Sequence, residues 1–263
     1  MTVYKTPGAY IERVDTQVED IIPVGTSVAA FIGECEFGPV NTPFAIYSWD
    51  EYKERHAPYL TDPFAGGWLG YAVYTFFKDG GGVCYVNRII KTEGTKAAVT
   101  SGRKFEAKYG GTWANSSGDD IGLEVDVIDN TTSWTIKVYM NGTLVEEYPL
   151  IAAADINDTI SNASKYINVT LSATPIAATG LNLVGGTADG TATITEFEAG
   201  MTDFDSIDAV NLFAVPGQAV AIQNAMNAYC EGRGDCIAIE DVDEAADTYA
   251  EMIALAGGYV GSY

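Results

Sequence analysis

Histidine and positive charge are scarce in this 263-residue chain. A single histidine, His56, stands beside 36 acids and only 14 bases, for a net charge of -22. After Lys165 the only base is Arg233, against fourteen acids in the same stretch. Binding to nucleic acid by phosphate neutralisation needs clustered Lys and Arg, and so does an anionic membrane surface, so neither partner is expected. His56 has no second histidine with which to form a metal site, and it follows a predicted helix, where we expect it at the surface. No run approaches the roughly 18 apolar residues that cross a bilayer. The opening MTVYKTPGAY lacks the apolar centre of a signal peptide, so export by that route is not expected. Cys35, Cys84, Cys230 and Cys236 match no zinc or redox spacing, since Cys230-x5-Cys236 is neither CxxC nor CxxxC. They read as free, buried thiols of a reducing cytosol. A phosphate loop is missing too: Gly80-Gly81-Gly82 follows a helix, precedes a strand and has no GK[ST] nearby, so it reads as a turn.

At 47% hydrophobic and 19% charged the chain is globular. Ser27 to Gly33 (SVAAFIG) is a short apolar run between turn residues, the mark of a strand buried on both faces, which needs helices above and below. Residues 1–20 alternate through Tyr10, Ile11, Glu12 and Arg13 and read as an extended arm. From this stretch alone, packing on its own domain is favoured over adding to a neighbour's sheet. Phe44 to Tyr47 reads as a second strand. Ser48 with Glu51 forms a capping box, and Trp49 and Tyr52 face inward. Thr61-Asp62-Pro63 starts another helix with a stripe of Leu69, Ala72, Val73, Phe76 and Phe77. It stops at the glycines, and Val83 to Ile90 follows as a strand. Strand, helices, strand is a crossover unit and predicts a largely parallel sheet.

From 97 to 194 the composition shifts to Thr, Asn, Asp and Gly with alternating apolar residues, at 123–127, 134–138 and 144–148. Asn141-Gly142 between two such runs predicts a hairpin. This stretch reads as an inserted, mostly antiparallel β domain. Its six N-x-S/T sequons, at Asn115, Asn130, Asn141, Asn157, Asn162 and Asn168, are what an Asn/Thr-rich β surface makes by chance. The α/β pattern returns with a strand at 209–215, a helix from Gln218 to Glu231 ended by Gly232, a strand at 236–239 and a helix from Asp243. Arg233-Gly234-Asp235 reads as a helix-to-strand turn. Glu240, Asp241 and Asp243 sit at a strand's carboxyl end, where α/β enzymes bind metal or phosphate, but they also suit the positive end of the following helix. No nucleophile–base pair accompanies them. A doubly wound sheet would continue with a strand after the last helix, so either the core is unusually small or the chain is the amino-terminal piece of a longer protein, and the second is expected.

The blocks PGAYIERVD (7–15), VGTSVAAFIGECEFGPVNTPFAIYSWDEY (24–52), LGYAVYTFFKDGGGVCYVNRI (69–89), LNLVGGTADG (181–190), LFAVPG (212–217) and AYCEGRGDCIAIEDV (228–242) resemble, in order, the amino-terminal part of contractile phage tail sheath proteins. Departures are modest around Lys53 to Tyr59; the family's carboxy-terminal region is not in this sequence. The resemblance implies an α+β fold. In it, an arm over 1–20 precedes a discontinuous α/β core over 21–96 and 195–263, incomplete at its carboxyl end, with a β-rich insert over 97–194. It implies a structural subunit, not an enzyme, with no cofactor or metal. Such subunits stack as hexameric rings around a tail tube above a baseplate and drive the tube through a cell envelope on contraction. They are assembled in the host cytoplasm and carried in the virion tail. Carried over by position, Val3, Tyr4, Pro7, Gly8, Tyr10, Ile11 and Val14 would link neighbouring subunits, which reverses the preference for a self-packed arm. The partner arm is missing, so the isolated chain is expected to be monomeric. Two rival readings are a metal- or phosphate-dependent α/β enzyme using Glu240, Asp241 and Asp243, and an adhesion module using the Arg-Gly-Asp turn.

Overall fold

The computed structural model describes residues 28–57, 64, 67–116, 122–171, 173–241 and 248–259. The seven arm residues, the helix start at 61–63 and Asp243 lie outside these. The chain runs through β1 (Ala29–Gly33), β2 (Phe44–Ile46), α1 (Trp49–His56), α2 (Leu69–Lys78) and β3 (Cys84–Arg88). It continues with β4 (Ala98–Ser101), β5 (Arg103–Ala107), β6 (Leu123–Asp129), β7 (Trp134–Met140), β8 (Thr143–Ile151), α3 (Ile156–Ala163), β9 (Ile167–Thr170) and β10 (Ala178–Asn182). Then come α4 (Ile194–Thr202), β11 (Leu212–Ala214), α5 (Val220–Arg233), β12 (Ile237–Ile239) and α6 (Tyr249–Ala256).

One sheet has the order β12-β11-β1-β3-β2. All its pairings are parallel except β2 with β3, so the predicted crossover sheet gains one antiparallel edge. All five residues of β1 are buried, because alternate side chains enter two different cores. Ala30 and Ile32 join Phe197 and Met201 of α4 and Ile222, Met226 and Cys230 of α5. Ala29 and Phe31 join Tyr52 of α1 and Leu69 and Val73 of α2. The mixed α+β fold expected from the sequence is present.

The Ser48 hydroxyl accepts from the Glu51 amide, as a capping box requires. The Glu51 carboxylate reaches one residue further back, however, to the Tyr47 amide at 2.9 Å. After α2, Gly80 adopts φ +98°, a conformation that glycine holds without strain and that reverses the chain into β3.

Residues 97–184 fold into two further sheets, β10-β6-β7-β8 and β4-β5-β9, both antiparallel. Asn141 and Gly142 turn β7 into β8 with φ +50° and +71°, the signature of a type I′ turn. The two sheets share one apolar cluster that includes Phe105, Leu123, Ile136 and Ile167.

Four details differ from the expectations. The stretch 156–163 is helical, with Ile156 and Ile160 buried one turn apart, where only strands were expected. A second helix, α4, precedes the strand at 212, and its capping box of Thr193 and Glu196 marks it in the sequence. That strand occupies three residues, not seven; just before it, the Asn211 side chain accepts from the Val28 amide at 2.9 Å. Helix α5 passes through Gly232 and is ended by Gly234 at φ +77°. The reason is Arg233, whose guanidinium donates to the Phe204 and Ile207 carbonyls and holds the last turn against the preceding loop.

Candidate functional site

Three of the sequence blocks meet at one buried cation. Arg88 is the last residue of β3 and its side chain is 0% exposed. Its Nε donates to the Cys35 carbonyl at 2.6 Å and its Nη1 to the Gly38 carbonyl at 2.7 Å, both in the turn after β1. Its Nη2 donates to the carboxylate of Asp189, in the segment returning from the insert. The other Asp189 oxygen accepts from the Gly94 amide at 2.7 Å, in the outgoing segment. A charge this deep is tolerated only when it is hydrogen-bonded and paired; here each guanidinium nitrogen donates a hydrogen bond and Asp189 supplies the counter-charge.

The outgoing and returning segments also pair with each other. Thr92 bridges Gly190 and Ala98 bridges Val184, both antiparallel. Glycine is required at this neck. A Cβ on Gly94 would stand 2.0 Å from the Thr187 carbonyl oxygen, and one on Gly186 would stand 2.4 Å from that of Gly111. Glu34, after β1, accepts from the Ala192 amide at 2.6 Å. Its partial burial raises its pKa, an effect this hydrogen bond opposes. The insert also borrows a residue from the core. Phe37 lies edge-on to Tyr109 and Trp113, with ring centroids 5.0 and 4.8 Å away.

His56 overturns the surface assignment, being 1% exposed. Its ring rests on Tyr52, with centroids 5.3 Å apart, and its Nδ1 is 3.3 Å from the Phe37 carbonyl and 3.7 Å from the Cys35 sulfur. Gly38 makes this room, since a Cβ there would come within 2.7 Å of Nδ1. A carbonyl only accepts, so Nδ1 carries the proton and Nε2, which has no hydrogen-bond partner, is bare. Burial lowers the His56 pKa to about 4, and burial pushes the Cys35 thiol up to about 11. Both groups are neutral at physiological pH, and the cluster is a packing element, not a nucleophile–base pair. Cys35, Cys84 and Cys230 are free and buried, whereas Cys236 is partly exposed.

Of the acidic residues of the enzyme reading, Glu240 and Asp241 lie among the described residues, and both are used structurally. Glu240 accepts from the Asn227 side chain, and Asp241 accepts from the Gly217 amide at 3.1 Å. Among the described residues, no three His, Cys, Asp or Glu side chains are grouped to hold a metal ion. Arg233-Gly234-Asp235 forms the turn into β12, with Arg233 paired to Asp235 at 2.7 Å.

One face of the parallel sheet is left partly open. Helices α1 and α2 cover β2, β3 and β1, but the register carries the row Phe31–Ala214–Ile239 out past them. A groove of about 820 Å³ results, lined by Phe31, Trp68, Tyr71, Phe76 and Ile239 with Glu240 and Asp241 on its border. Ile237 is 67% exposed and Ile239 47%. Helix α6 also exposes Tyr249, Met252 and Ile253. An apolar groove of this kind marks a contact region.

No protein-family model and no curated protein matches the chain. Solved structures do, two sheath tail proteins among them. One, the sheath tail protein of Listeria innocua, aligns with a TM-score of 0.58 at 18% identity over 78% of this chain and 44% of its own. The other, the sheath tail protein of Desulfitobacterium hafniense, aligns with a TM-score of 0.58 at 17% identity over 98% and 61%. The fold is that of the sheath tail proteins. The chain spans about half the length of these two sheath tail proteins.

Proposed function

We propose that the chain is a structural subunit of a contractile tail sheath, the sleeve of a virion tail or related particle that shortens to drive an inner tube through a cell envelope. The observation that carries this is the fold shared with a sheath tail protein over 98% of the chain. In this reading the chain comprises an arm (1–20), an α/β core (21–96 and 195–263) and a β-rich insert (97–194). It needs no cofactor and catalyses nothing. Its partners are other sheath subunits, in hexameric rings, with the tube and baseplate at the inner and distal surfaces. The protein is made in the host cytoplasm and works in the assembled tail.

The arm residues Val3, Tyr4, Pro7, Gly8, Tyr10, Ile11 and Val14 link a subunit to its neighbour. Residues 2–14 hold Lys5 and Arg13 against the single acid Glu12, in a chain of net charge -22. That chemistry fits the apolar, acid-bordered groove of a neighbouring copy. One such contact between two strongly anionic chains is weak, and it holds only when many are made together in a ring.

Light scattering on the isolated chain, with and without residues 1–20, is the test. A monomer at low ionic strength in both forms is expected. Contractile tubes in negative-stain images of the isolated chain would show that these residues suffice for the interlaced assembly and would overturn the monomeric part of the reading. Saturable heat on titration with Mg²⁺ or Ca²⁺ would overturn its non-catalytic part in favour of the acidic-cluster enzyme.

A further inference from the structure

Helix α5 delivers Cys230 in its last turn, Gly234 reverses the chain, and Cys236 lies just before β12. The two side chains lie on either side of this turn, near enough to perturb each other's ionisation, and both contact the apolar core on the α4–α5 face of the sheet. The other two cysteines have no such neighbour among the described residues. Cys35 donates to the Phe37 carbonyl at 3.3 Å, and Cys84 is fully buried on the opposite face of the sheet. The pair takes no part in the Arg88 junction or in the open groove.

We propose that Cys230 and Cys236 form a redox-modifiable dithiol that closes an intrachain disulfide when the protein meets a two-electron oxidant. Cys236, the partly exposed member, reacts first. Burial raises both thiols; at Cys236 the neighbouring Cys230 and Arg233 oppose that rise and Asp235 adds to it. With an azodicarboxamide oxidant, the Cys236 thiolate adds to one azo nitrogen and a proton goes to the other. The Cys230 sulfur then attacks the Cys236 sulfur, the S–N bond breaks and the hydrazine leaves with the second proton. The chain loses two hydrogen atoms, and the two electrons reside in the N–H bonds of the hydrazine. The disulfide spans only the helix-to-strand turn, so it ties β12 to α5. Among the described residues β12 is an edge strand paired with β11 alone, over three residues. Fixing its entry point therefore slows the opening of that edge.

The test treats the folded 263-residue chain with diamide at mildly alkaline pH, followed by thiol mapping and amide exchange. Expected are one Cys230–Cys236 disulfide, reversal by dithiothreitol, Cys35 and Cys84 recovered as free thiols, and several-fold slower exchange at the β12 amides. Recovery of Cys230 and Cys236 as free thiols, or oxidation spread over all four cysteines, overturns the proposal. Cys236→Ser sits at a partly exposed position and should fold. It is expected to give no intrachain disulfide, and loss of Cys230 thiol at the wild-type rate in that variant also overturns the pairing.

Discussion

Replacing Asp189 by asparagine tests whether the Arg88 junction holds the core and the insert together. The carboxylate accepts from two donors, the Arg88 guanidinium and the Gly94 amide. An amide side chain has one oxygen and can satisfy only one of them, while its NH2 group faces the other donor. The variant therefore loses an acceptor and also leaves the fully buried Arg88 without its counter-charge. Removing one member of a buried pair costs about 3–5 kcal/mol, and since Asp189 keeps 14% of its side chain exposed, the expected loss is near the lower end, about 3 kcal/mol. Arg88→Met should be damaging in its own right, because the Cys35 and Gly38 carbonyls lose their donors. The two changes together should cost less than their sum by about 2 kcal/mol, since the charge left stranded by one is removed by the other. Urea unfolding at neutral pH, followed by circular dichroism, measures all three. A loss below about 0.5 kcal/mol for Asp189→Asn, or strict additivity, would refute the argument that this ion pair is a buried and mutually dependent unit.

Four further outcomes are expected. Because the His56 pKa falls from 6.5 to about 4 on folding, the folded state favours the neutral ring. Its contribution is intact above pH 6.5 and is lost as pH falls toward 4, at up to about 1.4 kcal/mol per unit. The stability difference between wild type and His56→Asn should therefore narrow on acidification, and a pH-independent difference would count against the assignment. Gly38→Ala should lower stability by about 2 kcal/mol or more in thermal melts, because the backbone has φ +115° and the new Cβ meets His56. Gly80→Ala, at φ +98° with nothing within 4 Å, should cost only about 1 kcal/mol. Phe213→Ala should cost about 3–5 kcal/mol by denaturant titration, since this fully buried ring packs against Phe204 and Tyr229, with both centroids 5.3 Å away.

The central strand, the α1 cap, the α2 stripe and the Asn141-Gly142 hairpin are legible because each is written in contiguous residues by composition or period. The junction is not. Arg88 at a strand end looks solvated until Asp189, 101 positions away, is brought against it. The burial of His56 likewise depends on the missing side chain of Gly38, 18 positions earlier in the chain. Helix α3 escaped because INDTISNA has weak helix formers and two isoleucines as its only apolar marks, whereas α4 carried a readable capping box at Thr193 and Glu196. The end of α5 was misplaced because two glycines compete for it, and the side chain that settles the matter, Arg233, bonds to a loop some 26 to 29 residues upstream.

The pairing of Ala98 with Val184 also bears on how freely the insert can change. The ends of the insert are hydrogen-bonded neighbours, so the core presents it with a doorway one strand pair wide. Everything beyond that doorway can lengthen, shorten or be exchanged for another fold without altering the register of the parallel sheet. One constraint remains inside it: Phe37 reaches out of the core into the insert's aromatic cluster, so any replacement must offer a socket for that ring. A core trimmed of its insert would need a polar side chain at that position to stay soluble.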